Sequence, residues 1–202
     1  MHTLKSLLIA LLAALTLAAQ AGESTHEGGG MHSGIRVHGH WKIAVFEPNG
    51  TKVREITFQN ALVNPGTLPA LIRGEAVAGG MYIVATNQNA QSSGTGPCNP
   101  DCEIAPNGLT TGISHDSNNL VLSYQGNNFE TLRLAGSVTA TASSTIDLVQ
   151  TWITLCNGSV KNSSQCSDGS DSASVFTQKT LNSGVAVTAG QIIQITVDLT
   201  FS

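Results

Sequence analysis

The sequence predicts an all-β fold: an antiparallel β-sandwich, of jelly-roll or immunoglobulin-like type, with one short helix at residues 67–73. Three observations carry the prediction. Apolar residues recur with a period of two in about eight to ten segments, and polar stretches rich in Gly, Asn, Ser and Pro separate them. A single stretch has the caps and apolar stripe of a helix.

Residues 1–21 hold one charge, Lys5, then an uncharged apolar run closed by Ala19-Gln20-Ala21, the pattern of a cleaved secretory signal. The run is about 13 residues, short of the roughly 20 that a spanning helix needs. The expectation is export: a secreted, extracellular or cell-surface protein, with periplasmic transit in a diderm bacterium and no membrane association after cleavage. Residues 22–34, GESTHEGGGMHSG, lack apolar periodicity and read as a Gly-rich flexible arm. Residues 35–202 are then a single β-sandwich domain.

Residues 38–64 read as a hairpin around which the domain is organised. Ile35, Val37, Gly39, Trp41, Ile43 and Val45 share one parity, so the first strand is expected to start as early as Ile35. Glu47-Pro48-Asn49-Gly50 suits a type I turn ending in a bulge, because Pro48 presets φ and Gly50 accepts a positive φ. Arg54, Ile56 and Phe58 alternate with Glu55 and Thr57 in the returning strand. A long first strand preceded by an arm is able to pair in its own sheet or in that of a neighbouring subunit.

Asn64 or Thr67 caps the predicted helix, Pro69 lies in its first turn and Gly74 follows it, with Leu68, Leu71 and Ile72 as the buried stripe. Residues 81–86, MYIVAT, form an apolar central strand. Residues 87–119 read as a long polar surface excursion stapled by a cysteine pair and serving as a contact surface. Strands resume at residues 120–125, 131–142 and 146–156; the last carries apolar residues on both parities, as expected of a strand covered on both sides or changing its facing partway. The polar loop 157–174 leads to short strands at 175–179 and 185–187. The chain closes on residues 191–201, where Ile193, Ile195, Val197, Leu199 and Phe201 share one face.

Charged residues make up 11% of the 202-residue chain. Removing residues 1–21 leaves 181 residues with 8 basic and 13 acidic side chains, a net charge of −5. Such a chain offers no clustered Lys and Arg for nucleic acid or anionic lipid. The four cysteines, Cys98, Cys102, Cys156 and Cys166, point to two disulfides in an oxidising compartment. Of the three pairings the local one, Cys98–Cys102 with Cys156–Cys166, is favoured. Cys98 and Cys102 would otherwise supply two zinc ligands, but no second close pair completes a site.

His38 and His40 are the metal candidates, since residues i and i+2 of a strand face the same way and two imidazoles there suit copper, zinc or nickel. His26 and His32 in the arm would add ligands; the plainer account is exposed histidines. Asn49-Gly50-Thr51, Asn157-Gly158-Ser159 and Asn162-Ser163-Ser164 are glycosylation sequons, making Asn49, Asn157 and Asn162 candidate acceptors. Asp168-Gly169-Ser170-Asp171 lacks the remainder of a calcium loop and reads as a solvated turn. Ser114, His115 and Asp116 are adjacent and so cannot converge as a triad, and no Gly-x-Ser-x-Gly elbow is present. No cofactor and no catalysis are expected.

The order of motifs, a hairpin followed by Gln59-Asn60-Ala61-Leu62-Val63-Asn64-Pro65-Gly66, a short Leu-rich helix, the strand at 81–86, glycines at Gly126 and Gly136, and the final stretch from Thr188 to Val197, resembles bacteriophage tail and virion-associated β-sandwich proteins. The resemblance covers most of residues 38–202 and implies a structural subunit without catalytic residues. The secretory signal and the cysteines depart from that pattern and suit a similar subunit used outside the cell. The expected function is therefore that of a secreted structural protein, a pilus-like subunit of a filament or surface assembly that partners itself by strand addition. The alternative is a monomeric adhesin or glycan- or protein-binding module; a lesser one is metal binding through the histidines.

Overall fold

The computed structural model describes residues 37–63, 67–88, 102–104, 119–127, 130–157 and 172–201. Residues 35–202 form one compact unit. The described elements are β1 (Val37–Phe46), β2 (Lys52–Leu62), α1 (Thr67–Ile72), β3 (Ala76–Thr86), β4 (Cys102–Ile104), β5 (Val121–Gln125), β6 (Thr131–Thr139), β7 (Ser144–Asn157), β8 (Ser172–Val187) and β9 (Ile192–Phe201). All pairings are antiparallel and run in the order β4-β3-β7-β8-β2-β1-β9-β6-β5. The all-β class with one short helix is what the periodicity predicted.

The order divides at β2 and β8, which pair only at Ala61 with Gln178 and Leu62 with Thr177. On one side of this seam lies the half-sheet β4-β3-β7-β8, on the other β2-β1-β9-β6-β5. Their apolar faces share one core, in which Trp41, Ile43, Val197, Leu134 and Ile195 of the second half join Ile83, Ile104, Ile146, Val149 and Ile153 of the first. At the far side β4 approaches β6 closely: a Cβ on Gly136 would collide with the Ile104 side chain and the Asn119 carbonyl. The bare Gly136 backbone is what brings the two halves together there.

The hairpin forms as its turn residues dictate. Gly50 N–H donates to the Glu47 carbonyl at 2.9 Å, Thr51 N–H donates to Asn49 Oδ1 at 2.9 Å, and Gly50 takes φ 85°. The register shifts between Val45 and Phe46, which is the bulge such a turn requires. A second tie fixes the hairpin end: Gln191 Nε2 donates to Glu47 Oε1 at 2.8 Å while Gln191 Oε1 accepts from Thr188 N–H at 2.9 Å.

Several expectations are corrected. The first described strand residue is Val37, residues 35 and 36 lying outside the described part, and β1 is paired along its length with β2 and with β9 of its own chain. It is therefore an interior strand of this chain's own sheet. In α1, Leu68 and Leu71 pack on the core, but Ile72 is 60% exposed because the helix ends there. The excursion at 87–119 is not structureless: Cys102–Ile104 pairs with Ile83 to Ala85, and both Cys102 and Ile104 are fully buried. The two short strands expected at 175–179 and 185–187 are one strand, β8.

In β7 both expectations are met. The register shifts between Ile146 and Leu148 and again between Thr151 and Trp152, and the inward parity changes from Ile146 to that of Val149, Thr151 and Ile153. The opposite face is covered as well: Tyr82 and Val84 of β3 form a second, smaller buried cluster with Trp152.

Candidate interaction surface

β5 occupies the end of the strand order, so among the described residues its hydrogen-bonded neighbour is β6 alone. It is five residues long, Val-Leu-Ser-Tyr-Gln, and carries no charge, no proline and no register shift. Those are the devices by which sheet edges usually resist pairing with another chain. Its large side chains reach solvent on both faces: Val121 is 63% exposed, Leu122 39% and Tyr124 66%. Leu122 and Tyr124 continue the inward parity of Leu134 and Leu132 across β6, while Val121 stands beside Ala135 on the outer face. The opposite end of the order is protected differently, since β4 has three residues and two of them are buried.

The outer face of the β2-β1-β9-β6-β5 half is a flat polar array. One row across all five strands reads Gln59, His40, Asp198, Arg133, Ser123. Within it the Arg133 guanidinium donates two hydrogen bonds to Asp198, Nε to Oδ1 and Nη2 to Oδ2, each 2.7 Å. This fork, with the carboxylate charge beside it, holds the Arg133 pKa above its ordinary value. At the hairpin side Glu55 meets Lys52 at 2.9 Å and Lys42 at 3.2 Å. The hydrogen bond from Lys52, then that from Lys42, lowers the Glu55 pKa. The small side chains of Ala135, Ser137 and Thr196, with Val121 and Gln194 around them, leave a shallow open trough of about 290 Å³ next to β5.

His38 and His40 lie where the parity placed them, both exposed on this face. The structure brings Asp198 opposite His40, but that carboxylate is engaged by Arg133. Among the described residues no group of three or more His, Cys, Asp or Glu side chains is arranged to hold a metal ion.

Cys98, Cys166, Asn162, the Ser114 to Asp116 stretch and Asp168 to Asp171 lie outside the described residues, as do residues 1–36 with the proposed signal and arm. Cys102 and Cys156 are buried, and neither is a free thiol. They sit on opposite flanks of β3, Cys102 against Ala85 and Cys156 against Val77. Eight residues of strand separate those positions by roughly 25 Å, far beyond the reach of one disulfide. The pairing of Cys102 with Cys156 is thereby eliminated. Asn49 is exposed at the hairpin tip, and Asn157 ends β7.

Sequence reasoning missed two arrangements. Tyr82 and Trp152 stack at 5.9 Å and 15° on the outer side of the β3–β7 pair, where Trp152 Nε1 donates to Gln150 Oε1 at 2.8 Å and Gln150 Nε2 to Gln178 Oε1 at 2.6 Å. At the seam, Asn60 Nδ2 donates to Thr177 Oγ1 at 2.9 Å, and Thr177 Oγ1 shares a 2.7 Å hydrogen bond with Thr151 Oγ1. The one local signal for the seam was a polar Asn60 on the parity of Ile56 and Phe58. Among the described residues no helix is long and apolar enough to cross a membrane. Comparison with family models, with curated proteins and with solved structures finds no match to this chain.

Proposed function

We infer that this is a secreted, non-catalytic structural protein, a subunit of an extracellular filament or surface assembly that grows by β-strand addition. The observation that carries the reading is β5: an uncharged edge strand without proline or bulge, exposing Val121, Leu122 and Tyr124. An edge of this kind offers main-chain hydrogen bonds to any incoming strand and apolar contacts on both faces. Disulfides Cys98–Cys102 and Cys156–Cys166 complete the picture of an exported domain, and peptide mapping of the non-reduced protein tests them.

Sedimentation and electron microscopy of the secreted protein test the assembly. Oligomers or filaments are expected, and a monomer at every concentration overturns the reading. The role of the arm is tested by deleting residues 22–36. The deletion stops there because Val37 begins β1 and its removal would open the sheet itself.

A second reading, a monomeric adhesin or a glycan- or protein-binding module, is favoured by the trough bordered by Val121, Ala135, Ser137 and Thr196. Polar hydroxyls and an amide beside an apolar side chain suit a weakly held polar ligand. A stable monomer that binds in a glycan array, and loses binding on Ala135→Trp, supports this alternative. Metal capture by His38 and His40 rests on their shared face alone; unchanged metal content after His38→Ala with His40→Ala removes it.

A further inference from the structure

The two half-sheets differ in what their outer faces meet. On the β2-β1-β9-β6-β5 half, His38, His40, Lys42, Thr57, Gln59 and Gln194 are exposed, as on a sheet face open to solvent. On β3 and β7 the corresponding outward positions, Tyr82, Val84, Thr86, Gln150, Thr154 and Cys156, are each at most 5% exposed. The described elements with more than marginal contact to β3 and β7 are their lateral neighbours β4 and β8 and the helix α1, whose Leu68 and Leu71 pack on the main core. A sheet face reaches such burial beneath a further layer of chain. We propose that this layer is the β7–β8 connection, residues 158–171, tied to the face by a disulfide between Cys156 and Cys166.

The cysteines name the segment. Neither Cys102 nor Cys156 is a free thiol. They project to opposite faces, Cys102 into the main core and Cys156 on the outward parity of Trp152 and Thr154. Cys98 stands four residues before Cys102, so its Cα lies within roughly 14 Å of that of Cys102. With roughly 25 Å between Cys102 and Cys156, roughly 10 Å or more separates Cys98 from Cys156, beyond the roughly 7 Å that a disulfide spans. Cys166 is the partner left for Cys156, and Cys98 for Cys102. A bond that starts from an outward side chain anchors the connection over the β3–β7 ladder instead of beyond its end. The rival connections, residues 89–101 and 105–118, flank β4, and their cysteine bonds to the inward Cys102.

Length agrees. Leu155 pairs with Ser172, so the two ends of the connection are neighbours, and a hairpin loop of about two to five residues would join them. The chain supplies 14, from Gly158 to Asp171. Folded out and back, half of them reach roughly 23 Å, the run of strand from Asn157 to Gln150. The sequence GSVKNSSQCSDGSD is rich in hydroxyls and amides, with Val160 as its one branched aliphatic side chain. Buried Thr and Gln side chains call for hydrogen-bonding neighbours, and a segment of this composition supplies them.

The proposal shares its oxidised cysteines with the export reading above and is independent of assembly. Hydroxyl-radical footprinting read by mass spectrometry reports the two tryptophans of the chain separately. Trp41, fully buried in the main core, is the reference for an intact domain. Peptide mapping of the secreted protein should join Cys156 to Cys166. Cys156→Ser with Cys166→Ser should raise the labelling of Trp152 and Tyr82 by about tenfold while that of Trp41 stays unchanged. Removing residues 160–169 in the Cys156→Ser background leaves Gly158, Ser159, Ser170 and Asp171 as the loop and should have the same effect. If either variant loses its protected Trp41, Ser164→p-benzoylphenylalanine in the otherwise native chain decides, with photo-adducts expected on residues 81–86 or 148–156. A Cys98–Cys156 bond, protection of Trp152 that survives the deletion, or adducts confined to other segments overturns the proposal and leaves the export reading standing. Cys156 recovered as a free thiol from the secreted protein overturns both.

Discussion

Asn60 and Gly39 face each other across β1 and β2, and the Asn60 side-chain oxygen fills the space that a methyl group on Gly39 would need. The indole nitrogen of Trp41 borders the same point, 3.2 Å from it. Neither Trp41 Nε1 nor Asn60 Oδ1 has a hydrogen-bond partner among the described residues, and both are buried. Gly39 thus admits an amide beside Trp41, on an inward face where the other β1 residues, Val37, Ile43 and Val45, are aliphatic. Its own Cα–H points at the Asn60 oxygen, a weak donor in place of a stronger one. Gly39→Ala is expected to lower stability by about 2 kcal/mol, through overpacking against a side chain with no room to withdraw. Urea unfolding measures it. In combination with Asn60→Ala the alanine at 39 should cost less than it does alone, the sign of direct coupling between the two sites.

Thr177 is the middle member of the seam. Its hydroxyl accepts from Asn60 and exchanges a hydrogen bond with Thr151, while its own N–H donates to Thr151 Oγ1 at 3.2 Å. Thr177→Val keeps the shape, takes the acceptor from the buried Asn60 amide and leaves Thr151 Oγ1 with the backbone N–H alone, at a cost of about 2 kcal/mol. Thr151→Val in the same background should add less than it costs singly, because one of its partners has already gone. Denaturant midpoints of the two single variants and the double variant decide this.

Tyr82 gives the fold an alkaline limit. Burial, with a smaller contribution from the Glu103 charge, raises its phenol pKa well above the ordinary value of 10.0. Burial penalises the phenolate, so unfolding releases a proton once the pH exceeds the unfolded pKa. The stabilising contribution is fully present below about pH 10 and falls progressively as the pH rises above it. Tyr82→Phe should flatten the fall in unfolding free energy between about pH 10 and 12, as followed by urea titration at each pH.

The Arg133–Asp198 fork sits at the surface, its side chains 41% and 22% exposed. Such a pair is partly screened by solvent, so Arg133→Ala should cost under about 1 kcal/mol at low salt. Thermal unfolding in low salt and in molar salt should show the difference between wild type and variant shrinking as the pair is screened.

The elements were legible in the sequence where the pattern is local. Trp41, Ile43 and Val45, and Ile193, Ile195, Val197 and Leu199, declared their buried faces by alternation alone, and all seven are buried. Pro48, Asn49 and Gly50 specified their turn by backbone preference. The strand order was not legible, because it is set by pairings between residues far apart in the chain. Nothing in Val121 to Gln125 marks an edge position, except that Val121 is apolar on one parity while Leu122 and Tyr124 are apolar on the other. The same limit applies to Gly39 and Asn60: each looks ordinary in its own strand, and the reason for each is the other. Cys102 and Ile104 were hidden by their polar flanks, since a three-residue strand is too short to show a period.

Val37 and Phe201, the first and last described residues of the chain, are direct neighbours across β1 and β9. A pull that separates these ends would open that ladder one hydrogen bond after another, as a zip, instead of shearing all of them at once. Tension led through the two ends would therefore be borne poorly by this domain. Tension carried sideways through an intact sheet edge would leave the β1–β9 zip unloaded. A tether that must resist flow is better built from such a domain by joining flanks than by joining tails.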